Sequence, residues 1–209
     1  MGDGELPQFA LAQAISALKA GGLLAHSTSS LLGIGALPDH PQAPRRLDEL
    51  KEREPGRGYV HVIGETKHAA AWVADLELAQ SLWSGACGPL TLVLPATDAV
   101  PEHSRSDDAT VAIRLDPHPV VQQLCDALNG PMISTSLNFA GEPPCLQLSH
   151  CDRRLFAHLA GSYVRPPMPM GGASTLVSLM PKRCSLVREG VVSRAEVAEL
   201  LKANHVKLD

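Results

Sequence analysis

Segments with helical spacing and short strand-like segments alternate along most of this chain. Leu11, Ile15 and Leu18 recur at the spacing of one helix face, and a glycine pair at 21–22 ends that segment. The apolar run 23–26 follows directly and has the character of a buried strand. Because the same order of helix and strand returns later in the chain, the sequence predicts an α/β fold.

The predicted elements are numerous enough to form one sheet with helices packed on it. We expect strands at 23–26, 59–63, 90–94, 109–115, 132–134 and 176–179, and helices at 11–18, 43–50, 76–83, 119–128, 153–159 and 195–203. Proline and glycine concentrate at 55–58, 141–144 and 166–172, which predicts loops there. With 209 residues, 44% of them hydrophobic and 19% charged, the chain suits a single domain over 1–209 with a mixed sheet.

Neither a membrane segment nor a secretion signal is indicated by the sequence. No apolar stretch approaches the roughly 20 residues that a membrane helix needs, and residues 1–7 lack a basic and then apolar layout. We therefore expect a cytoplasmic protein that does not bind a membrane. The net charge of -4 argues against a surface that binds nucleic acid throughout, although a local basic groove is compatible with it.

The cysteine pattern indicates neither a disulfide framework nor a zinc site. The five cysteines are an odd number, are widely scattered and include no Cys-x-x-Cys pair, so we expect reduced thiols. His150 and Cys151 are adjacent but have no further ligands at regular spacing. We interpret them as incidental and expect no protein-held metal.

A first candidate group is cationic and follows the second predicted helix. Lys51 and Arg53 lie at the end of that helix, and Arg57 follows on a glycine-rich turn. Three cations within seven residues suit an anionic ligand such as a triphosphate. The alternative is a solvated helix end, because cations near a helix C-terminus are favoured by the helix dipole.

Two further groups follow or occupy predicted strands. The hydroxyl run 27–30 comes directly after a strand and before Gly33, and it could bind a ligand or cap a turn. Alternation in the strand 109–115 places Thr110 and Arg114 on one face. An arginine in an apolar strand needs a partner, which could be a substrate carboxylate or a structural aspartate or glutamate.

The fourth group is the polar run 134–145, which leaves the apolar residues 131–133 and ends in glycine and two prolines. Alternation points Ser134 and Ser136 to one side, and Asn138 follows them if the extended geometry continues. The alternative is an Asx or Ser/Thr turn before Gly141. A Walker loop, a Rossmann fingerprint, His-Glu-x-x-His and Gly-x-Ser-x-Gly are all missing from the sequence, so covalent nucleophilic catalysis has little support.

Taken in chain order, these groups resemble one family. The matching segments are 20–35, 50–53, 88–95, 110–114, 134–138 with 141–145, 174–177 and 186–190. They resemble the YrdC-like threonylcarbamoyl-AMP synthases of the short, single-domain TsaC type. The resemblance spans nearly the whole chain and implies one YrdC-like α/β domain with a twisted, mixed parallel and antiparallel sheet flanked by helices.

The resemblance also implies an activity and its site. The implied enzyme is an L-threonylcarbamoyladenylate synthase, a nucleotidyltransferase that joins L-threonine, bicarbonate and ATP and releases pyrophosphate. Its catalytic residues would be Lys51, Arg53, Ser136 and Asn138. ATP would be bound by Arg53, Arg57, Thr110, Asn138 and Arg188. Threonine would be bound by Thr28, Arg114, Ser136 and Ser174.

Cofactors and partners follow from the same resemblance. ATP would be a substrate, and Mg2+ would bridge its phosphates. The product would serve threonylcarbamoyladenosine (t6A) modification of transfer RNA, so the implied partners are the proteins of the t6A transfer machinery, with transfer RNA or double-stranded RNA as further partners.

The first motif keeps the threonine and both glycines of the family pattern but lacks its acid and its second aromatic residue. Where the family usually reads Tyr-Pro-Thr-Glu-Thr-Val-Tyr-Gly-Leu-Gly, this chain has Ser29 in place of the acid and Leu32 in place of the second aromatic residue. The segment 83–89 is longer than the family's Trp-Pro-Gly-Pro, and Leu146 stands where arginine is common. Because these changes lie in or near the expected cleft, they predict weaker or altered synthesis.

Three functional hypotheses remain open at this point. The leading one is the adenylate-forming enzyme. The second is a catalytically reduced paralogue that binds nucleotide or RNA, for example in ribosome maturation or translation. The third is a carbamoyl-transfer module of larger hydrogenase-maturing proteins, which the length of 209 residues disfavours.

Overall fold

In the part of the chain that the structure describes, five α-helices and nine strands are formed, and the nine include all six strands that the sequence pattern predicts. The computed structural model describes residues 5–53, 58–181 and 183–209. The helices are α1 (Leu11–Lys19), α2 (Ala43–Lys51), α3 (Leu76–Gly85), α4 (Pro119–Leu128) and α5 (Arg194–Ala203). The strands are β1 (Leu24–His26), β2 (Gly33–Ala36), β3 (Val60–Ile63), β4 (Leu90–Pro95), β5 (Thr110–Leu115), β6 (Met132–Ser136), β7 (Gly161–Tyr163), β8 (Thr175–Met180) and β9 (Arg183–Arg188).

All nine strands belong to one mixed sheet with the order β7-β1-β2-β6-β3-β5-β4-β8-β9. Three neighbouring pairs are parallel, namely β1 with β7, β3 with β5 and β4 with β8. The other five pairs are antiparallel. The structure therefore confirms the predicted single α/β domain with a mixed sheet and flanking helices.

Helices cover both faces of the sheet. Strand β1 shows the alternation, since Leu24 packs in a buried cluster with Leu18 of α1, whereas Ala25 packs in another with Leu47 of α2. Helix α4 joins α1 in the first cluster, and α3 and α5 pack in a third cluster with β4, β5 and β8. Two helices have side-chain caps at their N-termini: the ring of His118 caps α4, and Ser193 with Glu196 forms a capping box on α5.

The element boundaries differ from the sequence prediction in a few places. Strands β2, β7 and β9 are additional to the predicted set, and residues Arg153–His158 form a 3-10 helix where the pattern predicts an ordinary helix. Strands β2 and β7 have only four and three residues, so each is too short to show a clear periodicity of its own. In the part of the chain that the structure describes, no helix is long and apolar enough to cross a membrane.

The prediction that all thiols are reduced is wrong for two of the five cysteines. Cys145 and Cys151 form a disulfide. Between them the chain makes a 3-10 turn at Leu148–His150, and the two Cα atoms lie 5.2 Å apart, a distance that suits a disulfide. Spacing along the sequence could not show this approach, because it depends on how the loop folds.

Candidate active site

A cavity of about 140 Å³ lies where the polar ends of several strands meet. Its walls come from the β1–β2 turn, from β5 and β6, and from the chain entering β8 and leaving β9. The lining residues are Thr28, Ser30, Leu31, Leu32, Gly33, Val60, Arg114, Ser134, Thr135, Ser136, Ala173, Ser174 and Arg188. All four residues expected to bind threonine, and Arg188 from the expected nucleotide side, thus line one cavity.

The hydroxyl of Thr28 organises the turn between β1 and β2. It donates to the carbonyl oxygen of Leu31 at 2.6 Å and accepts from the backbone N–H groups of Ser30 and Leu31 at 3.2 Å. The sequence left open whether this hydroxyl run caps a turn or lines a ligand site. In the structure Thr28 caps the turn and also lines the cavity.

Arg114 is paired with a structural carboxylate, which is one of the two partners that its strand position predicts. Its guanidinium lies 2.8 Å from Oδ2 of Asp116 and donates to the Ser30 hydroxyl at 2.8 Å. Arg114 is 7% exposed and Asp116 is fully buried. Burial lowers the pKa of Arg114, and the charge of Asp116 opposes that shift. Because Arg114 also lines the cavity, its pairing with Asp116 does not remove it from the site.

Lys51 joins the end of α2 to the end of β6. Its ammonium donates to the backbone oxygens of Ser136 and Asn138 at 2.8 and 2.7 Å, and to the side-chain oxygen of Asn138 at 2.6 Å. The Ser136 hydroxyl donates to that same Asn138 oxygen at 2.6 Å. Burial lowers the pKa of Lys51 to about 8, and the charge of Arg53 lowers it further in the same direction.

Of the two other predicted cations, Arg53 is among the described residues and Arg57 is not. Arg53 donates to the carbonyl oxygen of Gly58 and stacks over the Tyr59 ring at 4.7 Å from its centroid. It therefore lies beside Lys51 at the end of α2, as expected. Arg57 lies outside the described residues, so its predicted contact with ATP stays a prediction.

The predicted nucleotide-side residues fall in two places. Arg188 lines the cavity and donates to the backbone oxygen of Ser174 at 2.8 Å, and the Ser174 hydroxyl lies 2.8 Å from that of Thr91. Thr110 lies at the other end of β5 from Arg114 and does not line the cavity. Its hydroxyl donates to Asp108 at 2.8 Å.

The two departures from the family pattern have different surroundings. The backbone N–H and the hydroxyl of Ser29 donate to the carboxylate of Asp116 at 3.0 and 3.1 Å. Leu32 is fully buried, packs in the core beside Ile34 and also contributes to the cavity wall. The loss of an acid at position 29 is thus accompanied by a carboxylate from another strand end.

Gly33 is required by close packing at the back of the cavity. A Cβ atom there would lie 2.6 Å from Nε2 of His26 and 2.8 Å from Oγ of Ser134. His26 donates from Nδ1 to the Ser27 carbonyl, so that its Nε2 accepts from the Ser134 hydroxyl at 3.1 Å. Burial lowers the pKa of His26 to about 4, so this ring is neutral at physiological pH.

Sequence reasoning did not identify Asp116, Ser30 or His26 as part of this site. The one available signal was the demand of Arg114 for a carboxylate, with Asp116 two residues further along the chain. Ser30 was within the predicted hydroxyl run, but no pattern marked it as the partner of Arg114.

Relatives of the chain share its sequence over most of its length. Residues 16–190 match the Sua5/yciO/yrdC family model, which carries the description "Telomere recombination". A threonylcarbamoyl-AMP synthase of Alkalilimnicola ehrlichii is 35% identical over 154 residues, which cover 74% of this chain and 81% of that protein. A threonylcarbamoyl-AMP synthase of Chromohalobacter salexigens is 34% identical over 165 residues, which cover 75% and 89%.

A solved structure agrees in fold. The crystal structure of P. abyssi Sua5 complexed with L-threonine matches with a TM-score of 0.80 at 23% identity. The match covers 95% of this chain and 58% of that one, so this chain spans less than two thirds of the Sua5 chain. Together with the match over residues 16–190, these likenesses show that the chain belongs to the Sua5/yciO/yrdC family.

Proposed function

We propose that this protein is an L-threonylcarbamoyladenylate synthase, which forms threonylcarbamoyl-AMP from L-threonine, bicarbonate and ATP and releases pyrophosphate. The relatives named threonylcarbamoyl-AMP synthase support the reaction. The observation that carries the proposal is a polar cavity lined by Arg114 and Ser136, with the ammonium of Lys51 bound to the backbone oxygen of Ser136 just outside the lining. The alternative of a catalytically reduced RNA-binding paralogue is not favoured by these relatives.

The cavity and the residues that adjoin it form two ends with different charge: Arg114 lines the cavity, whereas Lys51 and Asn138 do not line it and adjoin it through Ser136. We call Thr28, Ser29, Ser30, Arg114 and Asp116 the arginine end, and Lys51, Ser136 and Asn138 the lysine end. Arg114 at the first end is neutralised by Asp116, whereas the ammonium of Lys51 at the second is held by neutral oxygens only among the described residues. A zwitterionic amino acid suits the first end, and a polyanion suits the second.

Threonine is proposed to bind at the arginine end. The planar guanidinium of Arg114 matches a carboxylate, and the hydroxyls of Thr28, Ser136 and Ser174 can exchange hydrogen bonds with the ammonium and hydroxyl of the substrate. Ser136 lines the cavity and contacts the lysine end, so it lies between the two substrates.

The phosphates of ATP are proposed to bind at the lysine end. Lys51 and Arg53 would neutralise charge on the phosphates, with Arg57, Asn138, Thr110 and Arg188 as the further nucleotide contacts. A phosphate oxygen would replace Asn138 as one of the acceptors of Lys51, which needs only a small movement because the ammonium can rotate its three donors.

The reaction needs positioning and charge neutralisation more than a protein nucleophile. The amine of threonine and bicarbonate form a carbamate with loss of water, an oxygen of the carbamate attacks the α-phosphorus of ATP, and the bond to the departing pyrophosphate breaks. The cations of the lysine end would stabilise the negative charge that gathers on that leaving group. We assign no acid or base role to a side chain.

Mg2+ is proposed to arrive with ATP and not on a site of the protein. Within residues 5–53, 58–181 and 183–209, no three His, Cys, Asp or Glu side chains are grouped to hold a metal ion. The carboxylate beside the cavity, Asp116, is already occupied by Arg114, Ser29 and the N–H of His118. The phosphates of the substrate would instead supply oxygen ligands for Mg2+.

The cellular setting of this activity is also part of the proposal. The product is an activated acyl-adenylate that must be passed on in the cytoplasm, so the proposed partners are proteins of the t6A transfer machinery and, through them, transfer RNA.

The test is the formation of pyrophosphate by the purified full chain with ATP, bicarbonate, Mg2+ and threonine. We expect release that stops when threonine or bicarbonate is omitted, together with an adenylate product of the corresponding mass. Replacing threonine with valine, which lacks the hydroxyl, is the matched substrate control and should lower the rate. ATP cleavage that does not depend on threonine would refute the proposal.

A further inference from the structure

Asp116 is a fully buried carboxylate next to the cavity for which the proposed reaction has no direct use. It lies just beyond β5 and receives hydrogen bonds from two directions. One comes from the β1–β2 turn, through the backbone N–H and hydroxyl of Ser29, and the other from the start of α4, through the N–H of His118 at 3.0 Å. Its third partner is Arg114 at 2.8 Å. A carboxylate with this many donors is held in one position.

The same contacts fix the orientation of Arg114. A guanidinium has five N–H donors. One N–H of Nη2 is directed to Asp116, one N–H of Nη1 is directed to the Ser30 hydroxyl, and the buried Nε has no hydrogen-bond partner among the described residues. One N–H on each terminal nitrogen is left, and such a pair can hold the two oxygens of a carboxylate.

Asp116 also balances the charge of Arg114. Without Asp116, the arginine end would present Arg114 and the neighbouring Arg188 with no carboxylate contact on the Arg114 guanidinium. Such an end would attract phosphate as well as an amino-acid carboxylate. With Asp116 in place, the charge on Arg114 is balanced before a substrate enters, which favours a ligand whose own charges balance.

We infer that Asp116 is a positioning residue that orients the guanidinium of Arg114 and keeps phosphate groups out of the arginine end of the cavity. This inference rests on the proposed function and extends it to substrate selection. Asp116 acts through Arg114 and the Ser29–Ser30 turn and does not contact the reacting atoms.

The first variant is Asp116→Asn, which keeps the size of the side chain and removes its charge. We expect the KM for threonine to rise about tenfold or more, because an amide cannot hold and balance the guanidinium as a carboxylate does. We expect the KM for ATP to change little and inorganic phosphate to become an inhibitor that competes with threonine. Asp126→Asn, at an exposed ion pair with Lys67, is the control and should leave both constants unchanged.

A rescue variant distinguishes a loss of Arg114 orientation from a loss of folding stability. The hydroxyl of Ser29 lies 3.1 Å from Oδ2 of Asp116, so Ser29→Asp in the Asp116→Asn background returns a carboxylate to the same neighbourhood. We expect it to restore part of the threonine affinity and to remove the inhibition by phosphate. If Asp116→Asn does not fold, the single variant Ser29→Asp in the wild-type background tests the inference. A second carboxylate at this position would compete with threonine for Arg114 and raise the threonine KM.

The outcomes distinguish this inference from the proposed function. Wild-type protein without threonine-dependent pyrophosphate release would overturn both. An active wild type with a folded Asp116→Asn variant that keeps its threonine KM and stays insensitive to phosphate would overturn this inference alone. A Ser29→Asp variant with the wild-type threonine KM would do the same where Asp116→Asn is unfolded.

Discussion

The two ends of the cavity hold their cations in opposite ways. At the arginine end, Arg114 is fixed by a buried carboxylate and by the hydroxyl of Ser30. At the lysine end, the ammonium of Lys51 rests on three neutral oxygens of Ser136 and Asn138, and its pKa is lowered by burial. A balanced cation orients a ligand, whereas an unbalanced and partly desolvated cation gains most when a polyanion arrives.

This difference predicts which substitutions act on which substrate. Changes at the lysine end should lower the rate of the chemical step, since the leaving phosphates carry the developing charge. Changes at the arginine end should act mainly on the KM for threonine. Equal responses of kcat and of the threonine KM to changes at the two ends would contradict this difference.

The largest effect is expected from Lys51→Ala. The change removes the ammonium that we assign to the phosphates, so we expect kcat to fall at least about 100-fold, as on loss of one preorganised donor in an active site. The measurement is threonine-dependent pyrophosphate release, with Lys19→Ala on the exposed end of α1 as control. A Lys51→Ala variant with near-normal kcat would show that the lysine end does not bind the phosphates.

Arg114→Lys is expected to have the next largest effect. Lysine keeps the charge but cannot contact Ser30 and Asp116 and also present two parallel donors to a carboxylate. We expect the KM for threonine to rise about tenfold with a smaller change in kcat. Arg183→Lys, at an exposed pair with Asp209, is the matched control. An unchanged threonine KM in Arg114→Lys would contradict the role of the guanidinium fork.

A smaller effect is expected from pH. The pKa of Lys51 is lowered to about 8 in the folded protein, so the charged form that we assign to phosphate binding is lost as pH rises through about 8. We expect kcat/KM for ATP to decline above that pH. Loss of folding is not the cause of this decline, since between pH 8 and about 10.5 the unfolded chain holds the Lys51 proton more tightly and this group's contribution to stability rises with pH.

The control for this pH profile is Lys51→Arg, which stays charged throughout the range. Its activity should be low, because arginine cannot reproduce three contacts of a compact ammonium, but its profile should be flat near pH 8. Circular dichroism at each pH shows that the fold is kept. If kcat/KM of the wild type declines only near pH 10, the decline does not arise from Lys51.

The fold could be predicted from periodicity wherever an element buries a long apolar face. Helices α1, α2 and α4 and strands β4 and β5 lie where the pattern places them. Strands β2 and β7 could not be predicted, because Gly33–Ala36 and Gly161–Tyr163 have little pattern of their own. Strand β2 is held between β1 and β6, and β7 lies at the edge of the sheet and pairs with β1. Their pairing is a property of the whole sheet.

The sequence shows which types of residue form the candidate site, but not which of these residues are in contact. The sequence shows hydroxyl groups near the ends of β1 and β6 and cations at the end of α2. It also indicates that Arg114, in the apolar strand β5, needs a partner for its charge. The sequence cannot show that Asp116 also receives the N–H of Ser29, 87 residues away, because this contact depends on the sheet bringing two strand ends together. The acid that the first motif lacks at Ser29 is therefore matched in space by one that periodicity does not reveal.

The disulfide gives the smallest expected effect and bears on the lysine end alone. Cys145 and Cys151 close a short loop that follows the segment 138–144, in which the amide of Asn138 donates to the backbone oxygen of Glu142. We expect the double substitution Cys145→Ser and Cys151→Ser to lower the free energy of unfolding by about 2 kcal/mol, as for a short bridged loop. Urea denaturation of the oxidised wild type and the variant measures this difference.

Activity should change less than stability in this variant. The contacts of Lys51 with Ser136 and Asn138 lie outside the bridged segment 146–150, so kcat at a temperature well below unfolding should stay within about twofold of wild type. Cys87→Ser, which removes an exposed free thiol, is the control and should leave the unfolding midpoint unchanged. If the double variant instead loses activity while it keeps its stability, the bridge positions Asn138, and the lysine end depends on its loop as much as the arginine end depends on Asp116.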